Sequence, residues 1–251
     1  MERSTVNDVD ESAIQGQADQ VKQDQVKQDQ VEGQIREKVN AALGQPLPKK
    51  AAQVLKGALQ VFLERGYAGA SMDRIAAVAG VSKATVYSHF RDKEGLFEAL
   101  VRQLARDRLP KLFEAVNQGV ARADVSPRTC LRQLCTTMVD RMTQDGLYLD
   151  FLRLTIGESG RFPQLAEVFL KNFTRVGIAA FTDILKTYPA LKGRDVEAIT
   201  RIITGSLIAH VLTQYILHGH RVVPMERERI INSVVDLVLP PDQDPEPEIS
   251  V

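Results

Sequence analysis

The chain has 251 residues, 44% hydrophobic and 25% charged, with a formal net charge of zero. That length supports one large domain or two modest ones with a genuine core, and the composition is ordinary for a globular protein. Its two cysteines, Cys130 and Cys135, argue against a disulfide-stabilised fold; at a helical spacing of five they point different ways, as two separate buried thiols.

The balanced total hides an uneven distribution. Residues 1–48 carry five basic and nine acidic side chains, 49–108 eleven and six, and 109–251 sixteen and seventeen. A basic excess confined to one short stretch fits a nucleic-acid-binding module joined to a neutral body. The start, Met1-Glu2-Arg3-Ser4, lacks the basic and apolar regions of a signal peptide. No apolar run is expected to span a bilayer, since the best candidate, Ile202 to Leu217, contains His210 and Gln214. The expectation is a cytoplasmic chain without a membrane partner.

Residues 1–48 read as a disordered polar arm and linker. Val21-Lys22-Gln23-Asp24-Gln25 repeats as Val26-Lys27-Gln28-Asp29-Gln30, and valines every five residues drift around a helix instead of forming a stripe. Disorder is expected over 1–30, a short helix over 31–43, and a linker at Gly44-Gln45-Pro46-Leu47-Pro48.

From Lys49 the helical period takes over. A first helix runs over 49–65, with Val54, Leu55, Ala58 and Phe62 on one side and Gly66 ending it. Ser71 caps a second, with Asp73 in its first turn. Gly80-Val81 breaks it, Ser82 caps a third ending near Phe90, and Asp92 caps a fourth continuing toward Leu109. Beyond Pro110, helices are predicted over 111–120, 127–144, 147–158, 164–188, 195–218 and 225–239. Pro240-Pro241 stops the last, and 241–251 reads as a frayed acidic tail.

The informative stretch is residues 72–90. A helix-turn-helix needs a small residue where its helices cross, a turn residue tolerant of positive φ four positions on, and an apolar lock six further. Ala76, Gly80 and Val86 meet those needs, and Ile75, Val81 and Phe90 supply the remaining core contacts. The other side of the third helix then offers Lys83, Ala84, Thr85, Tyr87, Ser88 and His89. Small side chains at its start let it sink into a major groove, while hydroxyl, phenol and imidazole groups bond phosphates and base edges.

Residues 82–90, Ser-Lys-Ala-Thr-Val-Tyr-Ser-His-Phe, followed by Asp92-Lys93-Glu94-Gly95-Leu96, resemble the signature of the TetR/AcrR family of transcriptional regulators. Gly66-Tyr67 and Ser71-Met72 match that family's approach to its second helix, so the likeness covers about residues 49–100. The resemblance implies an all-α fold, with a three-helix DNA-binding domain over 49–108 and a helical effector-binding and dimerisation domain over 109–240. It implies a homodimer on palindromic double-stranded DNA, usually a repressor released by a small molecule. Carried over by position, it assigns DNA contacts to Ser71, Lys83, Ala84, Thr85, Tyr87, His89 and Lys93, with Ser71 and Lys93 on phosphates.

The signal is weaker downstream. The 164–188 segment is apolar nearly all round, which marks a central helix. Phe151, Leu154, Phe169, Phe173 and Phe181 are candidate linings of an effector pocket, each with ordinary core packing as the alternative. Glu158 to Pro163 resembles a segment of AcrR- and AefR-like C-terminal domains, and Glu158 and Arg161 read as a surface ion pair or as effector-orienting groups. Gly205, Ser206 and Ala209, and a wide apolar stripe over 225–239, suit pairing with a second copy. His210, His218 and His220 lack the companions a metal site needs. No phosphate loop, nucleophile elbow or metal-ligand pair points to an enzyme or a cofactor. An activator or an effector-independent DNA-binding protein stays open as an alternative.

Overall fold

The computed structural model describes residues 33, 37, 40–44, 47–120 (backbone alone over 111–120), 126–144 and 146–240. The disorder expected over 1–30, most of the helix over 31–43 and the acidic tail lie outside the described residues. Within them every regular element is helical.

Three helices build the N-terminal unit: α1 (Lys49–Gly69), α2 (Met72–Ala79) and α3 (Lys83–His89). Gly66, at φ 69° and ψ 172°, divides the first, so the expected break is real although one helical turn follows it. The caps form as read. Ser71 Oγ accepts the Arg74 N–H at 3.3 Å, Ser82 Oγ accepts that of Thr85 at 3.1 Å, and Gly80 takes the left-handed conformation at φ 65°.

The next helix, α4 (Lys93–Val120), passes through Pro110 unbroken, where the sequence predicted two separate helices. A proline forfeits one backbone hydrogen bond. Leu104, Ala105 and Leu109, all buried, hold the helix on the core across that gap. The start of the expected linker is likewise docked: Leu43 before it is buried, and Arg106 donates to the Leu43 and Gly44 carbonyls at 2.6 and 2.8 Å.

The C-terminal body comprises α5 (Pro127–Thr143), α6 (Gly146–Glu158), α7 (Pro163–Phe169), α8 (Arg175–Lys186), α9 (Val196–Val211) and α10 (Arg227–Val238). A π-helical turn, Leu170–Thr174, joins α7 to α8, and another, Leu212–Ile216, extends α9. The segment Val196–Ile216 has the length and apolarity of a membrane span, which corrects the expectation that no run does. Here Ile199, Ile203, Leu207 and Val211 are packed inside the helical body. The stripe over 225–239 is narrower than expected at the surface, because Ile231, Val234, Val235 and Val238 fill this chain's own core. Arg194 donates to the Val238 carbonyl at 2.7 Å and Arg227 pairs with Asp140, tying α10 down.

Candidate functional site

The reading head is α2, its turn and α3. Val86 and Phe90 are buried beneath it with Ile75 and Ala76, so the opposite face of α3 is fixed outward. Ala84, Ser88 and His89 are exposed there, and Tyr87 is 48% exposed despite its size. Not every hydroxyl on this face is idle. Ser88 Oγ donates back to the Thr85 carbonyl at 2.8 Å, and Thr85 Oγ1 lies 2.8 Å from Ser82 Oγ. Lys83 Nζ sits 2.7 Å from Asp73 on α2, and that carboxylate holds its ammonium above the usual lysine value. The pair is exposed, so opening it toward a phosphate or base costs little.

Two features of the head carry no motif. A Cβ on Gly57 would stand 2.8 Å from Ala79 Cβ and 2.9 Å from Ala79 N, so only glycine lets α1 pass this close to the end of α2. Gln53 Nε2 bonds the Ala79 carbonyl at 2.8 Å beside it.

Lys93 is placed differently from its family-based assignment. Its ammonium donates to the Tyr67 and Ala70 carbonyls at 2.7 and 3.1 Å and lies 4.4 Å from the centre of the Tyr67 ring. Burial pulls it below the usual lysine value, with the Glu158 carboxylate opposing that shift. It therefore holds the α1–α2 turn. Lys93→Met, which keeps the apolar stem, should lower thermal stability by about 1–2 kcal/mol from lost charge-assisted bonds. A variant as stable as the parent, with only weaker DNA binding, would return Lys93 to the phosphate role.

Glu158 meets the same turn from the other domain, where an ion pair or an effector contact was expected. Its Oε1 accepts the Tyr67 N–H at 2.8 Å and sits where a Cβ on Gly66 would come within 2.6 Å. Beside it the Tyr67 and Phe162 rings meet edge to face at 5.0 Å. Phe97 of α4 stacks on Phe151 of α6 at 5.2 Å. Reading head and body therefore meet through α4 and through this Glu158–Tyr67 joint.

Within the body lies a cavity of about 910 Å³, in the range of sites for drug-sized ligands. Phe169, Phe173 and Phe181 line it, as α7, the π turn and α8 pass along one wall. Phe151 and Leu154 do not: α6 presents the helically spaced Tyr148, Leu152, Thr155 and Ile156, and Ser159 follows just past its end. Phe151 is fully buried between Phe97 and Phe169 instead. That α6 spacing was the signal available in the sequence, obscured by the larger phenylalanines nearby.

The family model of the tetR bacterial regulatory proteins matches residues 54–100, and that of the AefR-like transcriptional repressor C-terminal domain matches 129–240. The chain is 27% identical to the HTH-type transcriptional regulator BetI of Paraburkholderia phytofirmans over 191 residues, 76% of this chain and 93% of BetI. A TetR-family transcriptional regulator from Mesorhizobium loti superposes with a TM-score of 0.63 at 26% identity, covering 76% of this chain and 95% of that one. The flavonoid-responsive regulator FrrA does so with a TM-score of 0.58 at 26% identity, covering 76% and 95%. Helix-turn-helix, cavity-bearing helical body and both family matches converge: the chain belongs to the TetR family of DNA-binding transcriptional regulators.

Proposed function

We propose that this chain is a homodimeric repressor that sits on a palindromic operator and is released by a small-molecule effector bound in the cavity. The observation that supports it most is the mechanical continuity just described. Arg108 and Leu109 line the cavity from the helix that begins at the reading head, and Thr155 and Ile156 line it from the helix ending in Glu158. A ligand that spreads this wall tilts α4 and moves the Tyr67 turn together. In a dimer that changes the distance between two recognition helices, which must sit one DNA turn apart. The similarity to FrrA, a flavonoid-responsive regulator, supports control by a small ligand.

Dimerisation through α9 and α10 accounts for what their own core leaves outside. Ile202, on the same helix as the small residues Gly205 and Ala209, is 59% exposed, and Leu237 on α10 is 76% exposed.

On DNA, Ser71, Ala84, Tyr87, Ser88 and His89 join Lys83 and Thr85 as the contact set, with Ser71 on a phosphate. Thr85→Ala should change preference at one base position by roughly 1–3 kcal/mol. If selection from a randomised operator pool returns the same sequence preference, Thr85 serves only as the Ser82 partner.

Footprinting of the purified protein on DNA upstream of its own and neighbouring genes tests the whole reading. The expected result is a protected palindrome overlapping a promoter, bound by a dimer and salt-sensitive. Protection upstream of the promoter would favour activation. Absence of any salt-sensitive duplex binding would overturn the proposal.

A further inference from the structure

The chemistry of the cavity wall narrows the effector beyond its size, on the reading that the cavity is the effector site. Its interior is built from side chains such as Leu134, Met138, Leu152, Phe169, Phe181 and Ile208. Three of the hydroxyls that face it already give their proton to the backbone. Thr155 donates to the Phe151 carbonyl at 2.9 Å, Thr204 to that of Thr200 at 2.8 Å, and Ser159 to that of Ile156 at 2.7 Å. A polar molecule rich in hydroxyls, such as a sugar or nucleoside, would leave its groups unpaired there, each at a cost of about 1–3 kcal/mol. The body of the ligand must therefore be apolar.

Formal charge is sparse in the lining. Among the described residues Asp107, Arg108 and Arg141 are its only formal charges, an excess of one positive. Arg141, near the end of α5, is exposed and makes no hydrogen bond or ion pair among the described residues. Asp107 is occupied, accepting from Gln103 at 2.8 Å. Ile156, 49% exposed, and Leu170, 55% exposed, also line the cavity and give an apolar ligand a way in from solvent.

We infer that the cavity binds an amphiphilic carboxylate, its apolar body among the Phe169–Phe181 wall and its anionic head at Arg141. Fatty acids and hydrophobic aromatic acids share this chemistry.

The test uses the full-length protein and isothermal titration with dodecanoate, dodecanol, dodecyltrimethylammonium and 1-naphthoate, each below its micelle concentration. Dodecanoate should bind at least about tenfold more tightly than dodecanol or the ammonium analogue, and Arg141→Glu should weaken dodecanoate about tenfold and erase that order. Arg141 is exposed, so this variant keeps its fold, checked by its melting temperature. Naphthoate binding above dodecanoate would mark ring acids as the source, and the reverse would mark acyl chains; both uphold the class. Equal binding of the three dodecyl compounds, an unaltered Arg141→Glu profile or binding of none overturns the inference. A parallel gel shift on the footprinted operator keeps the two readings apart: dodecanoate that binds without releasing DNA upholds the ligand class and refutes effector release.

Discussion

Gly57→Ala is expected to destabilise the protein by about 1–2 kcal/mol and to weaken operator binding, although alanine in a helix is favoured over glycine by about 1 kcal/mol. The added methyl would meet Ala79 Cβ at 2.8 Å and the Ala79 backbone at 2.9 Å. Those atoms belong to a helix end, which cannot swing aside as a long side chain can. Overpacking of this kind costs about 1–3 kcal/mol, enough to outweigh the gain in propensity. The strain falls on the residue before Gly80, so relief comes from tilting α2 and carrying α3 with it. Thermal melts and a binding isotherm on the operator read both effects. A variant more stable than the parent would mean that α1 and α2 are not in close contact.

Glu158→Ala should have the second large effect, because it removes the hydrogen bond that ties the reading head to the body. A bond from a backbone N–H to a carboxylate contributes about 1.5–3 kcal/mol. Its loss also takes away the negative charge facing Lys93. The Tyr67 amide should then exchange with deuterium faster, and operator affinity should drop without any change to the DNA-facing side chains. Glu158→Gln keeps an acceptor for the amide and should restore most of the protection. Unchanged Tyr67 exchange in the alanine variant would show that the joint carries no weight, leaving α4 as the sole connection.

The reading head was legible because its requirements are local. Ser71, Gly80 and Ser82 each answer a backbone need within four residues, and Ala76 and Val86 answer a crossing within ten. The contacts that escaped the sequence are between residues remote along the chain: Gly57 with Ala79, Glu158 with Tyr67, Arg106 with Leu43. A charged residue bonded to a distant backbone group leaves no spacing to detect.

The segment over 164–188 misled for a different reason. Phe169 and Phe181 are both buried, yet on an uninterrupted α-helix they would lie about 120° apart around the axis. The segment therefore looks apolar nearly all round. The π turn at Leu170–Thr174 absorbs one residue and brings the two into line. Phe169 and Phe181, twelve positions apart, thereby share the cavity wall.

Such a turn also says something about how freely this wall can change length. A single deletion inside Leu170–Thr174, for instance of the exposed Lys171, converts the wide turn to an ordinary one and leaves α8 oriented as before. The same deletion inside α8 would swing every later side chain of that helix about a third of the way round its axis. The chamber thus has a slack link in one of its sides, a place where the chain can gain or shed a residue and reshape the space next to Phe173 without disturbing the rest of the body.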